Sequence, residues 1–315
     1  MTFLADHMAS IRQAAESIKP YVRRTSTLTT DIDPDLRLKP ECFQVTGSFK
    51  ARGAFNALGA LKAQKSGVIA VSSGNHAQAV ALAASTFGLA AVILIPEDAN
   101  PTKVAATRAL GAEVIQQGIT FANREQRMRE VMAERGLVLV HPFNDWNVIH
   151  GQGTAALELL TDAPDLQSIV TPLGGGGLLS GTAIAAKSHN PAIRVIGVEP
   201  LNANDAYQTW KAGSIQTLPA APDTLADGVR TTAIGERTFE AMFTNKLVDE
   251  IVTVTEEEIA TGVRVAWTRL HLALEPTGAL PIAAYIAGKL PKGKTGLILS
   301  GGNANLETIA KLLGT

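Results

Sequence analysis

The chain has 315 residues, 46% of them hydrophobic and 18% charged, with a formal net charge of −1. That length suits one large or two smaller α/β domains with a sizeable core, and no basic run marks the chain for nucleic acid or an anionic membrane. The single cysteine, Cys42, excludes an intrachain disulfide and a multi-cysteine metal site, and reads as a small buried hydrophobe or a reactive thiol.

The opening Met1-Thr2-Phe3-Leu4-Ala5-Asp6-His7 lacks the basic start and apolar core of a signal peptide, so a cytoplasmic protein is expected. Residues 5–18 pattern as an amphipathic helix with Ile11, Ala15 and Ile18 on one side. A turn-rich stretch to Asp35 leads to the short strand Leu36-Arg37-Leu38 and then to Thr46-Gly47-Ser48-Phe49-Lys50. A helix over 48–64 is expected, with Thr46 or Ser48 as its N-cap. Strand 68–71 ends in Ser72-Ser73-Gly74-Asn75-His76 before a helix of small residues. The apolar run 79–95 is broken by Ser85, Thr86 and Gly88, and reads as helix, turn and strand, not as a membrane span. Next come strand 91–95, a helix capped by Asn100 with Pro101 at its first position, strand 113–116, helix 120–135 and strand 137–140.

The pattern then repeats as helix 147–161, strand 168–171, glycines 174–177, helix 178–188, strand 194–198 and a helix from about 203. Residues 213–235 lack periodicity and read as a long functional loop. Strand 248–254 precedes a capping box at Thr255-Glu256-Glu257-Glu258, and strand 297–299 ends in Ser300-Gly301-Gly302-Asn303 before a last helix. Alternating strands and helices imply parallel sheets covered on both faces, with ligands at the carboxyl ends of strands.

Lys50 in a first helical turn is unusual, because the positive end of the helix dipole disfavours a cation there. The same placement would depress its pKa, as an amine nucleophile requires, whereas the plain alternative is a solvated lysine. Gly174, Gly175, Gly176 and Gly177 open a helix and suit a phosphate cradle, or else a tight turn. They match neither the P-loop nor the dinucleotide fingerprint. Residues 72–76 suit a carboxylate-binding loop, or a polar cap with a core histidine. The Ser300 hydroxyl suits a ring nitrogen or a helix cap. Together, lysine, cradle, polar loop and strand-end serine suit pyridoxal phosphate.

These motifs, with Gly151-Gln152-Gly153-Thr154 and Glu275-Pro276-Thr277-Gly278-Ala279, resemble nearly end to end the serine/threonine dehydratase and serine racemase family of fold-type II pyridoxal-phosphate enzymes. The resemblance implies an α/β fold of two parallel-sheet domains with the cofactor in the cleft between them. A large domain would take residues 1–64 and 143–315, and a small mobile one residues 65–142. Lys50, beside Phe49, would be the Schiff-base lysine and the base for the α proton. Asn75 would bond the ring phenolic oxygen, Gly174 to Gly177 the phosphate, and Ser300 the pyridine nitrogen. Ser73 lies where racemases protonate the opposite face. Ser72, Ser73, Asn75 and His76 would cradle the substrate carboxylate, with Glu275 and Gly228 lining ring and substrate. Glu199, the Ala203 carbonyl and Asp205 resemble a divalent-cation site (Mg, Mn or Ca), with helix capping as the plain alternative. Arg124 could meet a second carboxylate, or be an exposed helix arginine.

The resemblance implies a dehydratase that turns L-threonine or L-serine into a 2-oxo acid and ammonia, in a homodimer. A racemase or bifunctional enzyme using Ser73, a dehydratase for 3-hydroxyaspartate or phenylserine, and a non-catalytic binder are the alternatives. Two departures stand out. Ser26 replaces the family's usual proline, and Phe143 after His141-Pro142 is as in threonine dehydratases rather than serine racemase. No regulatory domain follows the catalytic part, so feedback control by an end-product amino acid is not expected.

Overall fold

In a computed structural model, which describes residues 2–63, 66–99 and 101–314, the strands sort into two parallel sheets. The larger holds β1 (Leu36–Pro40), β6 (Ser168–Pro172), β7 (Arg194–Pro200), β8 (Glu250–Val254) and β9 (Thr295–Leu299), in the order β1-β9-β6-β7-β8. The smaller holds β2 (Val68–Val71), β3 (Ala91–Leu94), β4 (Glu113–Ile115) and β5 (Val138–Leu139), in the order β4-β3-β2-β5. The helices are α1 (Phe3–Ile18), α2 (Lys50–Leu61), α3 (Asn75–Phe87), α4 (Pro101–Ala109), α5 (Arg124–Arg135), α6 (Trp146–Asp162), α7 (Gly177–His189), α8 (Asp205–Ala212), α9 (Glu236–Phe239), α10 (Glu256–Thr268), α11 (Leu280–Ile286) and α12 (Leu306–Leu313).

The apolar strand runs follow from burial on both faces. In β2, Val68 and Ala70 join a core with Phe55, Val80 and Ile93, while Ile69 between them joins Val92, Met128 and Val131 on the other face. In β6, Ile169 faces Leu159 and Leu179, and Val170 faces Val198 and Leu297. This period-two split needs apolar residues at consecutive positions.

α2 links the two halves. Its Ala51, Ala54, Phe55 and Leu58 pack in the same core as β2 and α3, while its other side meets α6 almost backbone to backbone. A Cβ on Gly151 would lie 2.4 Å from the Arg52 carbonyl oxygen, so only glycine fits there. Arg52 is itself fully buried, donating to both Glu41 oxygens at 2.7 and 2.8 Å and to Glu158. Lys39, also buried, donates to Glu158 and to the Thr25 carbonyl oxygen.

Several local expectations change. Neither Thr46 nor Ser48 caps the lysine helix, which starts at Lys50 after Phe49 with no side-chain cap. Thr46 instead takes a left-handed φ of 59° inside a short 3-10 turn, and the Ser48 hydroxyl is buried without a partner. α5 begins at Arg124, not at 120, because Thr120 and Asn123 close a turn by reciprocal bonds: Thr120 N–H to Asn123 Oδ1 at 2.8 Å, and Asn123 N–H to Thr120 Oγ1 at 3.2 Å. Ser300 does not cap the last helix; Asn305 does. α11 shows no amphipathic period, because five of its seven residues are buried. The Asn100 cap and the 64/65 boundary fall outside the described residues. Residues 213–235 stay irregular apart from a 3-10 turn at Asp227–Val229. No helix among the described residues is long and apolar enough to cross a membrane. Cys42 is half-buried, which pushes its thiol up to about 11.

Candidate active site

The segment before Lys50 lies against the end of β9. Phe49 N–H donates to the Ser300 carbonyl oxygen at 3.0 Å, and Gly302 N–H to that of Gly47 at 3.0 Å. This pairing brings the strand-end serine beside the lysine turn. The Lys50 amine then reaches the Pro142 carbonyl oxygen at 2.8 Å. The side chain is half-buried, and burial lowers its amine to about 8. Burial is the cause that the structure supplies for the depressed value that the helix-dipole argument also pointed to.

The loop after β2 faces this turn. Asn75 Nδ2 donates to Glu275 Oε1 at 2.6 Å, and Asn75 Oδ1 accepts from Asn303 Nδ2 at 2.8 Å. Glu275 is buried and pushed up to about 7 by burial and then by the Asp227 charge. Ser73 is exposed at the loop tip, and the Ser72 hydroxyl accepts from Gly74 N–H at 3.2 Å. The His76 ring takes the core position: its Nε2 meets the Val140 carbonyl oxygen at 2.8 Å, and burial holds it down to about 3. His76 therefore brings to the loop its backbone N–H and a neutral ring turned into the core.

The glycine stretch needs its glycines. A Cβ on Gly175 would lie 2.2 Å from the Phe143 ring, and one on Gly177 3.1 Å from the Phe143 backbone. Gly176 has φ of 91°, and a Cβ there would meet Met242 at 2.8 Å and Thr238 at 2.9 Å. Gly174 lies against Val229, next to Gly228, whose N–H donates to Thr277 Oγ1 at 2.9 Å. Residues 142–143 thus touch both the Lys50 amine and the glycines.

The remaining candidates lie further out. Glu199, fully buried, accepts from Ala206 and Tyr207 N–H at 3.2 and 2.8 Å, so it does cap the start of α8. Asp205 keeps one buried oxygen without a partner and is raised by burial to about 7; burial and the Asp205 charge hold Glu199 well above the carboxylate range. Ala203 is buried beside them. Among the described residues no three His, Cys, Asp or Glu side chains gather into a metal cluster. Arg124 stacks on Phe121 with its guanidinium carbon 3.4 Å from the ring centre, and burial is the main cause of its lowered pKa, with the Arg230 charge adding to it. Lys103 of α4 pairs with Asp227 beside Gly228. Lys103, Asp227 and Asn303 were not among the residues expected from sequence. The first two carry no local signal, whereas Asn303 stands in a motif already singled out.

These residues fit a phosphorylated aromatic aldehyde. The Lys50 amine has no carboxylate partner among the described residues, the Ser300 hydroxyl is buried without a protein partner, and side chains at residues 174–177 would collide with their neighbours, which leaves the backbone there bare. An α/β fold that gathers a buried lysine amine and a glycine stretch at its strand ends has the parts that a lysine nucleophile and an anion site require. The chain belongs to the pyridoxal-phosphate-dependent enzyme family, whose model matches residues 18–301. It is 42% identical over 314 residues to a serine racemase of Oryza sativa subsp. indica, covering 95% of this chain and 91% of that one. It is 42% identical over 312 residues to an L-threo-3-hydroxyaspartate ammonia-lyase of Saccharomyces cerevisiae, covering 96% and 95%. Among solved structures, maize serine racemase superposes with a TM-score of 0.91 at 40% identity, covering 96% of this chain and 95% of that one. The fold is thus the fold-type II architecture of the serine/threonine dehydratase and racemase family, and its cofactor is pyridoxal phosphate.

Proposed function

We propose that the chain is an ammonia-lyase acting on a β-hydroxy amino acid, with L-threonine and L-serine as default substrates. The observation that carries this is the Lys50 amine, lowered by burial to about 8, held on the Pro142 carbonyl oxygen and free of any paired carboxylate among the described residues. Pyridoxal phosphate, when bound, supplies the electron sink for a carbanion at the substrate's α carbon. Lys50 takes the α proton, for which an amine lowered from 10.5 to about 8 is better suited than an ordinary lysine. The β hydroxyl leaves as water, the proton it gains balancing the one Lys50 has taken from the α carbon, and the released enamine hydrolyses to a 2-oxo acid and ammonia. Gly174, Gly175, Gly176 and Gly177 would hold the phosphate by backbone N–H groups. Asn75 would orient the ring, with Phe49, Glu275 and Gly228 lining it and the substrate. Ser72, Ser73 and the His76 N–H would hold the substrate carboxylate. Ser300, a hydroxyl instead of a carboxylate, would leave the ring nitrogen unprotonated, which favours quick loss of a β leaving group over a long-lived carbanion.

Two further readings have their own support. Ser73, exposed on the loop that carries Asn75, is available as the second base of a racemase. Arg124, held on Phe121 within the electrostatic reach of Arg230, is available for the second carboxylate of 3-hydroxyaspartate. Assaying 2-oxo acid and D-isomer separately from L-serine, L-threonine and threo-3-hydroxyaspartate distinguishes all three. Racemised serine without 2-oxo acid would overturn the lyase proposal.

We also propose a small domain of residues 65–142 moving on a large one of 1–64 and 143–315, a cytoplasmic homodimer, and a divalent cation at Glu199, Ala203 and Asp205. The unpartnered Asp205 oxygen beside a second buried carboxylate fits a hard cation.

A further inference from the structure

Asn303 stands just past the strand-end serine, in a motif whose sequence assigns chemistry to the serine alone. In the structure its side-chain nitrogen donates to the Thr46 carbonyl oxygen at 2.6 Å and to Asn75 Oδ1 at 2.8 Å. Its Oδ1 covers Gly47, where a Cβ would come within 2.4 Å. One side chain therefore joins three segments that meet at the candidate site.

A side-chain amide has two ends of opposite polarity. The nitrogen only donates and the oxygen only accepts. Glu275, on one side of Asn75, takes a bond from Nδ2 at 2.6 Å; Asn303, on the other, gives one to Oδ1. We infer that Asn303 is a positioning residue: it fixes the Asn75 amide so that one N–H stays free for the ring oxygen of the cofactor, and it locks the left-handed Thr46-Gly47 turn from which Lys50 enters α2. The role presupposes the cofactor assignment of Asn75 made above.

Glu275 alone could not hold that orientation at all pH values. Its carboxyl accepts from Asn75 and lies within electrostatic reach of Asp227, Lys103 and the Cys42 thiol, and burial pushes it up to about 7. Once protonated, it could donate to Oδ1 and let Asn75 turn over. Asn303 carries no titrating group, and its N–H demands the oxygen at every pH.

The test titrates cofactor-free wild type, N303D and N303A with pyridoxal phosphate, reading the absorption band and the dissociation constant from about pH 6 to about pH 8.5, on both sides of the Glu275 titration. Melting temperatures of the cofactor-free proteins are read alongside. N303D keeps the shape but offers only acceptors. It is expected to weaken cofactor binding about tenfold, the scale of one lost hydrogen bond, and to shift the band. N303A is expected to give a band that changes with pH near neutrality where that of the wild type does not. Wild-type affinity and a wild-type band in both variants, whatever their melting temperatures, would make Asn303 a structural link only and overturn the inference. If N303D does not fold, N303A decides by the same two readouts. A wild type that takes up no cofactor would instead sink the assignment of the site, and this is seen before any variant is made.

Discussion

The Lys50 amine donates to the Pro142 carbonyl oxygen at 2.8 Å. Pro142 lies on the segment that leaves the smaller sheet and enters α6, so the lysine on α2 is held by a group on the connection out of that sheet. A neutral carbonyl cannot stabilise the ammonium as a carboxylate would, and the amine stays low. Replacing Lys50 by alanine should cut 2-oxo acid formation by ~10³-fold or more, the upper range for a lost general base. The melting temperature should stay near that of the wild type, because the one hydrogen bond removed is offset by the burial cost of the amine that goes with it. Full turnover in Lys50→Ala, assayed on L-threonine and L-serine, would sink the mechanism.

The lowered amine has a pH signature. Its folded value is about 8, against an ordinary lysine value of 10.5. Between those values the unfolded chain binds the extra proton, so this group makes the cofactor-free protein more stable as pH rises through that window, and less stable below it. The neutral amine is also the form that reacts with an aldehyde. Stopped-flow loading of the cofactor-free protein should therefore speed up with pH and level off above about 8. A rate still climbing steeply near the ordinary lysine value would show that burial does not depress the amine.

Ser300→Ala separates stability from chemistry. The hydroxyl is buried with no protein partner, so removing it breaks no hydrogen bond within the cofactor-free protein. Denaturant melts should show equal or higher stability, while turnover falls. A clear loss of stability would mean that the hydroxyl has a protein partner.

Gly175→Ala pushes a methyl group into the Phe143 ring, 2.2 Å away. Overpacking of this kind costs about 1–3 kcal/mol, and Phe143 follows Pro142, the acceptor of the Lys50 amine. Cofactor affinity should fall in calorimetric titration, and shortening Phe143 to leucine in the same variant should restore part of it. Undiminished affinity in Gly175→Ala would remove these glycines from the phosphate cradle.

Glu41→Gln tests the frame under the lysine. Arg52 and Glu41 are both fully buried, and their bond lies just behind the start of α2. Breaking a buried pair from one side costs about 3–5 kcal/mol, lessened here because Glu158 still partners Arg52. Chemical denaturation should report a loss toward the lower end of that range. A loss under about 1 kcal/mol would mean that Glu158 alone suffices.

Local chemistry was legible wherever a residue type has few other uses. Four consecutive glycines at a helix start suited an anion or a tight turn; the structure accounts for glycine there by close neighbours, and the anion remains a proposal. The strand runs were legible because sheets buried on both faces need unbroken apolar stretches. The expected cap at Thr46 or Ser48 failed because a neighbour distant in sequence outweighed local preference: the turn bonds to the end of β9 instead of to its own helix.

The alternation of strands and helices, the order of the motifs and the family were all readable from residue type and spacing along the chain. The surroundings of those motifs were not. The Lys50 acceptor lies 92 residues away, and the partners of Asn303 lie 228 and 257 away. Burial and hydrogen-bond polarity at the site are properties of neighbours in space, and chain spacing says nothing about them until the two sheets have folded.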